Sequence, residues 1–336
     1  MARLTPFARL LIVLAIVAGV VLAVRKFFPG VLGGEKAATE TTTTEPDDSQ
    51  TTTPPSDNTA VEDETTATAT SSFNYSPPKP AGGKLKGVVE LGATGFNSFI
   101  INVDAQKNWE LKKADFGSSL VYEGMTSDAD ITAGLKNYIA EMLAFGVTGK
   151  DIHFVISSGA QKVPITSKII AALKNLGYVV NTVTPEKEGQ LAFRSAMPAD
   201  YQNKAFVVDI GSGNTKISWM QSGQIKAAEA KGSKYYQNNV TDEAAYQDAL
   251  AKSKTIPAEL RETCFIIGGI PFELAKQGRS GKERYTVLKA PGEYQAEGEK
   301  QKAGLNIYKA IADATGCEQF VFDWDANFTI GFLLTL

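Results

Sequence analysis

AFVVDIGSGNTKISWM, residues 205–220, decides the fold, because the chain contains a second stretch of the same form. KGVVELGATGFNSFII, residues 86–101, also has an apolar strand that ends in an acid, then a glycine turn and a returning strand. The two stretches lie about 120 residues apart, and a third apolar strand runs into Gly268 and Gly269 before a helix opened by Pro271. Like hairpins at this spacing predict two like lobes.

The glycine turns have the composition of phosphate-binding loops. Glycine lets the backbone approach an anion closely and leaves amide N–H groups and nearby hydroxyls free to point at phosphate oxygens. The acids at the strand ends, Glu90 and Asp209, can hold a hydrated Mg²⁺ ion or orient a water molecule. A single turn of this kind would indicate a plain hairpin. Two matched turns and a third before a helix predict a phosphate-binding cleft between the lobes.

The segments between the hairpins alternate between helix and strand. Asp128 is the predicted N-cap of a helix with apolar residues at helical spacing from Ile131 to Leu143, and Gly146 is its predicted stop. IHFVISS, residues 152–158, predicts a buried strand. The predicted fold class is therefore α/β.

These motifs resemble the exopolyphosphatase and guanosine pentaphosphate phosphohydrolase (Ppx/GppA-like) family of the actin, sugar kinase and heat-shock ATPase superfamily. The resemblance covers residues 85–336, and besides the glycine turns it includes FGSSLVYEGM (116–125), TPEKEGQLAF (184–193) and NFTIGFLLTL (327–336). It implies a two-lobed actin-like ATPase (ribonuclease H-like) duplication with an interlobar phosphate cleft. It also implies a Mg²⁺-assisted hydrolase in which water attacks a terminal phosphoryl group of polyphosphate or a guanosine polyphosphate.

The resemblance also assigns roles to individual residues. It places the catalytic base, which would orient and deprotonate the attacking water, on Glu188. It makes Asp209 and Glu90 the metal ligands. The phosphate-binding residues that it implies are Gly92, Ala93, Thr94, Gly95, Gly211, Ser212, Gly213, Asn214, Thr215, Lys216, Gly268 and Gly269. From the sequence alone, a carboxylate that only complements the N-terminus of a helix is the better interpretation of Glu188, and only the alignment with the family makes the two interpretations equal.

The chain departs from the family pattern at charged positions. Glu90 stands where the family has aspartate, Lys216 where it has an acid, and Gln161 where it has arginine. Loss of an acid weakens metal binding, whereas a lysine can bind phosphate as a point charge. The alternative hypothesis is therefore a catalytically impaired sensor or scaffold of the same fold that binds phosphate anions. An actin-like polymeriser is a third hypothesis.

The first part of the chain has a different composition. Residues 10–24, LLIVLAIVAGVVLAV, are uncharged and flanked by basic residues, which predicts a transmembrane segment at about residues 8–28. A cleaved signal peptide is the alternative. The expected domains are a membrane anchor at 1–34, a disordered Thr-, Pro- and acid-rich linker at 35–83, lobe I at 84–202 and lobe II at 203–336. The expected localisation is the cell membrane, single-pass, with the side of the folded part left open.

Composition excludes several classes of protein. A net charge of −3 and a pI near 5.5 give no basic field for nucleic acid, so no nucleic-acid partner is expected. A single histidine leaves little room for a histidine metal site or a Ser-His-Asp triad. Cys264 and Cys317 form no CxxC spacing and are interpreted as core residues. A homodimer is kept as a hypothesis.

Overall fold

The computed structural model describes residues 73–92, 95–117 and 127–336, which form two β-sheets with helices packed on them. The strands are β1 (Lys84–Gly92), β2 (Gly95–Val103), β3 (Trp109–Phe116), β4 (Ile152–Ile156), β5 (Val180–Thr182), β6 (Ala205–Ile210), β7 (Asn214–Gln221), β8 (Gln224–Lys231), β9 (Thr263–Ile267), β10 (Tyr285–Val287) and β11 (Gln319–Asp323). The helices are α1 (Asp128–Phe145), α2 (Thr166–Asn175), α3 (Pro185–Ala196), α4 (Asp242–Ser253), α5 (Gly269–Ala275), α6 (Gly298–Thr315) and α7 (Phe328–Leu333).

The two sheets share one internal plan. The first has the strand order β3-β2-β1-β4-β5, and the second has β10-β11-β9-β6-β7-β8. In each sheet a three-stranded antiparallel meander, β1-β2-β3 or β6-β7-β8, is followed by a parallel partner, β4 beside β1 or β9 beside β6. The repeated hairpins of the sequence therefore begin two equivalent sheets, and the fold is an α/β duplication.

The strand register places the two acids at equivalent positions. Glu90 lies opposite Asn97 across the β1–β2 ladder, and Asp209 lies opposite Lys216 across the β6–β7 ladder. Residues directly opposite each other in an antiparallel pair have side chains on the same face of the sheet. The side chains of Asn97 and Lys216 therefore share a face with the acids of their own hairpins.

The core of the molecule includes a layer of side chains from both sheets. Val88 of β1 and Val207 of β6 belong to one buried cluster, which also contains Leu191 of α3 and Ile330 of α7. Two helices pack on the sheet formed by the other half of the chain. Helix α3 follows the first sheet in sequence but packs on β6, β7 and β8 of the second sheet, and α7 follows the second sheet but packs on β1 of the first and on α3. The predicted boundary at residues 202 and 203 stays a prediction.

The ends of the helices follow from their capping residues. Ser127 is the N-cap of α1, where its hydroxyl accepts a hydrogen bond from the Asp130 N–H while the Asp130 carboxylate accepts one from the Ser127 N–H. The predicted N-cap, Asp128, is the first residue inside the helix, because Ser127 supplies the better capping box. Helix α3 begins with Thr184 as N-cap and Pro185 in its first turn.

The predicted localisation in the cell membrane is wrong. Among residues 73–92, 95–117 and 127–336, no helix is both long and apolar enough to cross a bilayer. The apolar run on which the anchor was predicted, residues 10–24, lies outside the described residues, as does most of the predicted linker. The predicted phosphate-binding residues Ala93 and Thr94 also lie outside them.

Candidate phosphate site

The site is a cleft of about 400 Å³ at the carboxyl ends of strands from both sheets. Strands β1, β4, β6 and β9 all point their carboxyl ends toward it, which is the edge where α/β folds bind ligands. The predicted site residues that line the cleft are Glu90, Gly92, Gly95, Glu188, Asp209, Gly211, Ser212, Gly213, Asn214, Lys216, Gly268 and Gly269. The fold thus brings residues from all three glycine turns, and the carboxylate proposed as base, into one cavity.

Thr215 is a predicted site residue that the structure does not bring into the cleft. Its side chain is buried, and its hydroxyl donates a hydrogen bond to the backbone carbonyl of Lys231 on the neighbouring strand. It points away from the cleft because successive residues of a strand face opposite sides of the sheet, and Lys216 takes the cleft side. Its hydroxyl is therefore committed to the sheet.

The third glycine turn depends on the absence of a side chain. Gly268 has φ +105°, and a Cβ atom there would lie 2.4 Å from the carbonyl oxygen of Ile210 and 2.8 Å from a carboxylate oxygen of Asp209. Only glycine tolerates both this backbone conformation and this approach. The turn after β9 can therefore lie directly against the end of β6, where Asp209 enters the cleft.

Glu188 lies in the first turn of α3 and has no exposed surface. Its Oε1 atom accepts a hydrogen bond from the backbone N–H of Ser158, just after β4. Its Oε2 atom lies 2.7 Å from Nζ of Lys216, in an ion pair that is short but poorly aligned as a hydrogen bond. Glu188 is thus bound on both oxygens by groups of the protein itself.

Lys216 places a buried positive charge in the cleft. Its ammonium group lies 2.7 Å from Glu188 Oε2 and 3.6 Å from Asp209 Oδ2. Burial alone would lower the pKa of Lys216, but the charges of Asp209 and Glu188 outweigh burial and hold the pKa above its ordinary value. The side chain is therefore a permanent cation between two carboxylates.

The backbone around Lys216 leaves space for its side chain. A Cβ atom at Gly189, next to Glu188 in α3, would lie 3.3 Å from the Cβ of Lys216 and 2.9 Å from that of Ala227. A Cβ atom at Gly211 would lie 3.4 Å from the ammonium nitrogen and 2.8 Å from the Asn214 carbonyl oxygen. These two glycines therefore allow the lysine to lie deep between α3 and the second sheet.

Glu90 is the third acid of the cleft, and it has neutral partners. The side-chain amides of Asn97 and Asn327 both donate hydrogen bonds to its Oε2 atom, each at 3.1 Å. Burial raises the pKa of Glu90 to about 7; the two amides oppose this rise, and the charges of Asp209 and Glu188 add to it. The carboxyl group is consequently a mixture of protonated and ionised forms at neutral pH.

The residues of the cleft do not fit the predicted Mg²⁺ ion. Mg²⁺ requires oxygen ligands at about 2.0–2.1 Å in octahedral geometry. Asp209 and Glu188 instead face the ammonium of Lys216, while Glu90 accepts two amide hydrogen bonds. Within the described part of the chain, no group of three or more His, Cys, Asp or Glu side chains could hold a metal ion.

Sequence reasoning missed several residues of the site. Ser158 binds Glu188 through its backbone, and its hydroxyl accepts a hydrogen bond from the Asn214 side chain at 3.2 Å. An aromatic wall of Phe116, Phe272 and Trp324 also lines the cleft, and Phe116 is 65% exposed. The serines at the end of IHFVISS were the available signal for Ser158, because a polar pair after a buried strand lies at the edge where ligands bind.

Gln161, which the resemblance aligns with a family arginine, plays a structural part. Its side-chain amide donates hydrogen bonds to the backbone carbonyl of Val183 at 2.7 Å and to that of Ser157 at 3.4 Å. These bonds connect the segments that follow β4 and β5. The amide is therefore committed to the backbone around the cleft.

No family model and no curated protein matches the sequence. Solved structures do match: a Ppx/GppA family member from Aquifex aeolicus has 15% sequence identity and a TM-score of 0.58, over 75% of this chain and 97% of that chain. An exopolyphosphatase from Cytophaga hutchinsonii has 14% identity and a TM-score of 0.57, with the same coverage. The resemblance that the hairpins indicate is thus confirmed for the fold: this chain has the two-sheet fold of the Ppx/GppA exopolyphosphatase structures.

Proposed function

We propose that the protein is a phosphoanhydride hydrolase that removes a terminal phosphoryl group from polyphosphate or a guanosine polyphosphate. One observation carries the proposal: residues of three glycine turns and the buried carboxylate of Glu188 line a single cleft. Structures with the same fold include exopolyphosphatases, which supports this reaction class.

In the proposed reaction, the chain's own residues supply binding and charge. Amide groups of Ser212 and Gly213 and of the turn after β9 bind phosphoryl oxygens. Lys216 attracts the anion and offsets charge on the transferred group. Glu188 orients a water molecule for in-line attack and accepts its proton, which requires that the carboxylate exchange a present partner for the water.

A second candidate function follows from the same contacts. Both oxygens of Glu188 have protein partners, and the carboxylate has no exposed surface. If the ion pair with Lys216 persists when an anion binds, no base is free to activate water. The protein would then bind phosphate chains without hydrolysing them, as a sensor or scaffold.

One experiment separates the two candidates. Phosphate release from tripolyphosphate and from guanosine tetraphosphate is measured with the full chain, its Glu188→Gln variant and the control Glu186→Gln, an exposed carboxylate in the same turn of α3. Loss of a general base lowers the rate about 10²–10⁴-fold, so the hydrolase requires such a loss in Glu188→Gln alone. Calorimetric titration with tripolyphosphate measures binding in the same samples.

The outcomes are distinct. Phosphate release that depends on Glu188 supports the hydrolase, and the better substrate of the two identifies the ligand class. Binding without release supports the sensor or scaffold. Release that is equal in wild type and Glu188→Gln contradicts the assigned base, and absence of both binding and release contradicts both candidates.

A further inference from the structure

We infer that the ammonium group of Lys216 is a tethered cation that fills the position of a divalent metal ion, so that the cleft binds its anion without a metal. The inference deepens the proposed function and rests on it for the identity of the ligand. It begins from geometry: one buried ammonium group lies within 4 Å of carboxylate oxygens of Asp209 and Glu188. These carboxylates come from different elements, β6 and α3, and meet only at this nitrogen.

The ammonium group of Lys216 disfavours a divalent cation at the same carboxylates. Asp209 and Glu188 together carry two negative charges, and Lys216 offsets one of them at contact distance. A divalent ion bound to the same oxygens would lie close to the ammonium group and would be repelled by it. Part of its ligand set is also committed, because the Ser158 N–H binds the other Glu188 oxygen and two amides bind Glu90 Oε2.

The backbone accommodates the lysine at two independent points. Gly189 comes from α3 and Gly211 from the β6–β7 turn. A Cβ atom at Gly189 would lie 3.3 Å from the Lys216 Cβ, and one at Gly211 would contact the ammonium nitrogen at 3.4 Å. The buried stem of Lys216 packs between these glycines, while the cross-strand register places its head beside Asp209. An anion that enters from the cleft side therefore meets a fixed positive charge.

The first test measures divalent-cation binding without reference to activity. Thermal unfolding of the full wild-type chain is recorded in EDTA and in 1 mM Mg²⁺ or Mn²⁺, together with Lys216→Glu. We expect the wild-type midpoint to stay within about 1 °C, because the cation position is filled. Lys216→Glu places a third carboxylate beside Asp209 and Glu188, and three carboxylates supply the oxygen ligands that hard divalent cations prefer. We therefore expect Mn²⁺ to raise the unfolding midpoint of this variant by several degrees.

The second test measures anion binding. Tripolyphosphate is titrated in EDTA into wild type, Lys216→Met and the control Lys226→Met, whose lysine is exposed on the adjacent strand. We expect wild type and Lys226→Met to bind alike, and Lys216→Met to bind at least tenfold more weakly. Circular dichroism of each variant verifies folding; if Lys216→Met or Lys216→Glu does not fold, the wild-type comparisons of EDTA with Mn²⁺ decide alone.

The outcomes keep the inference and the proposed function apart. Stabilisation of wild type by Mn²⁺ that disappears in Asp209→Asn would overturn the tethered cation, as would tripolyphosphate binding that needs a divalent ion. A wild-type chain that ignores Mn²⁺ and also fails to bind tripolyphosphate would refute the proposed ligand, while the assignment of Lys216 to the cation position would stand.

Discussion

Glu90 should make the stability of this protein depend on pH in a direction unusual for a carboxylate. Its carboxyl group is buried at the end of β1 and accepts hydrogen bonds from two amides, and the charges of Asp209 and Glu188 are close enough to raise its pKa. Glu90→Gln retains the size of the side chain and an oxygen for the two amides, but it cannot ionise. The variant therefore reports only the cost of burying the charge.

The magnitude follows from the pKa. The pKa of Glu90 is raised from 4.5 to about 7 in the folded protein, so the folded state binds more protons than the unfolded state between these values. The stabilising contribution of the protonated form is present in full below about pH 4.5 and is lost as the pH rises through about 7. At about 1.4 kcal/mol per pH unit, the full loss is about 3 kcal/mol.

The assay is urea unfolding of the full wild-type chain and of Glu90→Gln at pH 5, 6, 7 and 8. We expect the variant to be nearly as stable as wild type at pH 5 and about 3 kcal/mol more stable at pH 8. Taking the difference between the two proteins removes the contribution of other titrating groups, including Asp325, whose pKa burial raises to about 6. Glu259→Gln, an exposed carboxylate, is the control. A difference that stays constant from pH 5 to pH 8 would refute the reasoning.

Three further predictions concern the folded state. Arg284→Met leaves the buried carboxylate of Asp323 without its ion-pair partner. The free energy of unfolding in urea should therefore fall by about 3–5 kcal/mol, and a fall of less than about 1 kcal/mol would contradict a buried ion pair. Gly268→Ala should lower the unfolding temperature by several degrees, because Gly268 has a positive φ and the added Cβ would lie 2.4 Å from the carbonyl oxygen of Ile210. The control Gly269→Ala has open space around the added Cβ and should not lower it. Equal effects of the two substitutions would contradict this account of the turn. Burial raises the pKa of the Cys264 thiol well above its ordinary value and raises the pKa of Cys317 to about 11. Iodoacetamide at pH 8 should therefore label neither thiol until urea unfolds the chain. Rapid labelling of the folded protein would contradict the burial of these thiols.

The sequence predicted the repeated hairpins because their information is local. Apolar strands, glycine turns and capping residues act within a few positions, as Thr184 and Pro185 do at the start of α3. The same register could have placed Lys216 beside Asp209 and Thr215 on the opposite face, since side chains alternate along a strand. Thr215 was included among the predicted site residues because the whole turn was treated as a phosphate-binding loop.

The contact between Glu188 and Lys216 could not be predicted in this way. It depends on α3 packing across β7, and no local pattern states which sheet a helix will cover. The hydrogen bonds to Glu90 could not be predicted from local patterns either, because Asn327 lies 237 residues further along the chain. The hairpin pattern therefore identified Glu90 and Asp209, and the family resemblance identified Glu188, but the charge environment of these acids depends on tertiary neighbours.

Because α3 packs on the second sheet and α7 packs on the first, the chain is not expected to separate into two fragments that fold independently. Gly331 of α7 lies so close to α3 that a Cβ atom there would meet the carbonyl oxygen of Leu191 at 1.9 Å, so the two helices form a tight crossing. A polypeptide cleaved after Gln202 would give an amino-terminal fragment that carries α3 away from its strands and a carboxyl-terminal fragment that carries α7 away from β1. Neither fragment should be stable by itself, and the two should regain native structure only when mixed.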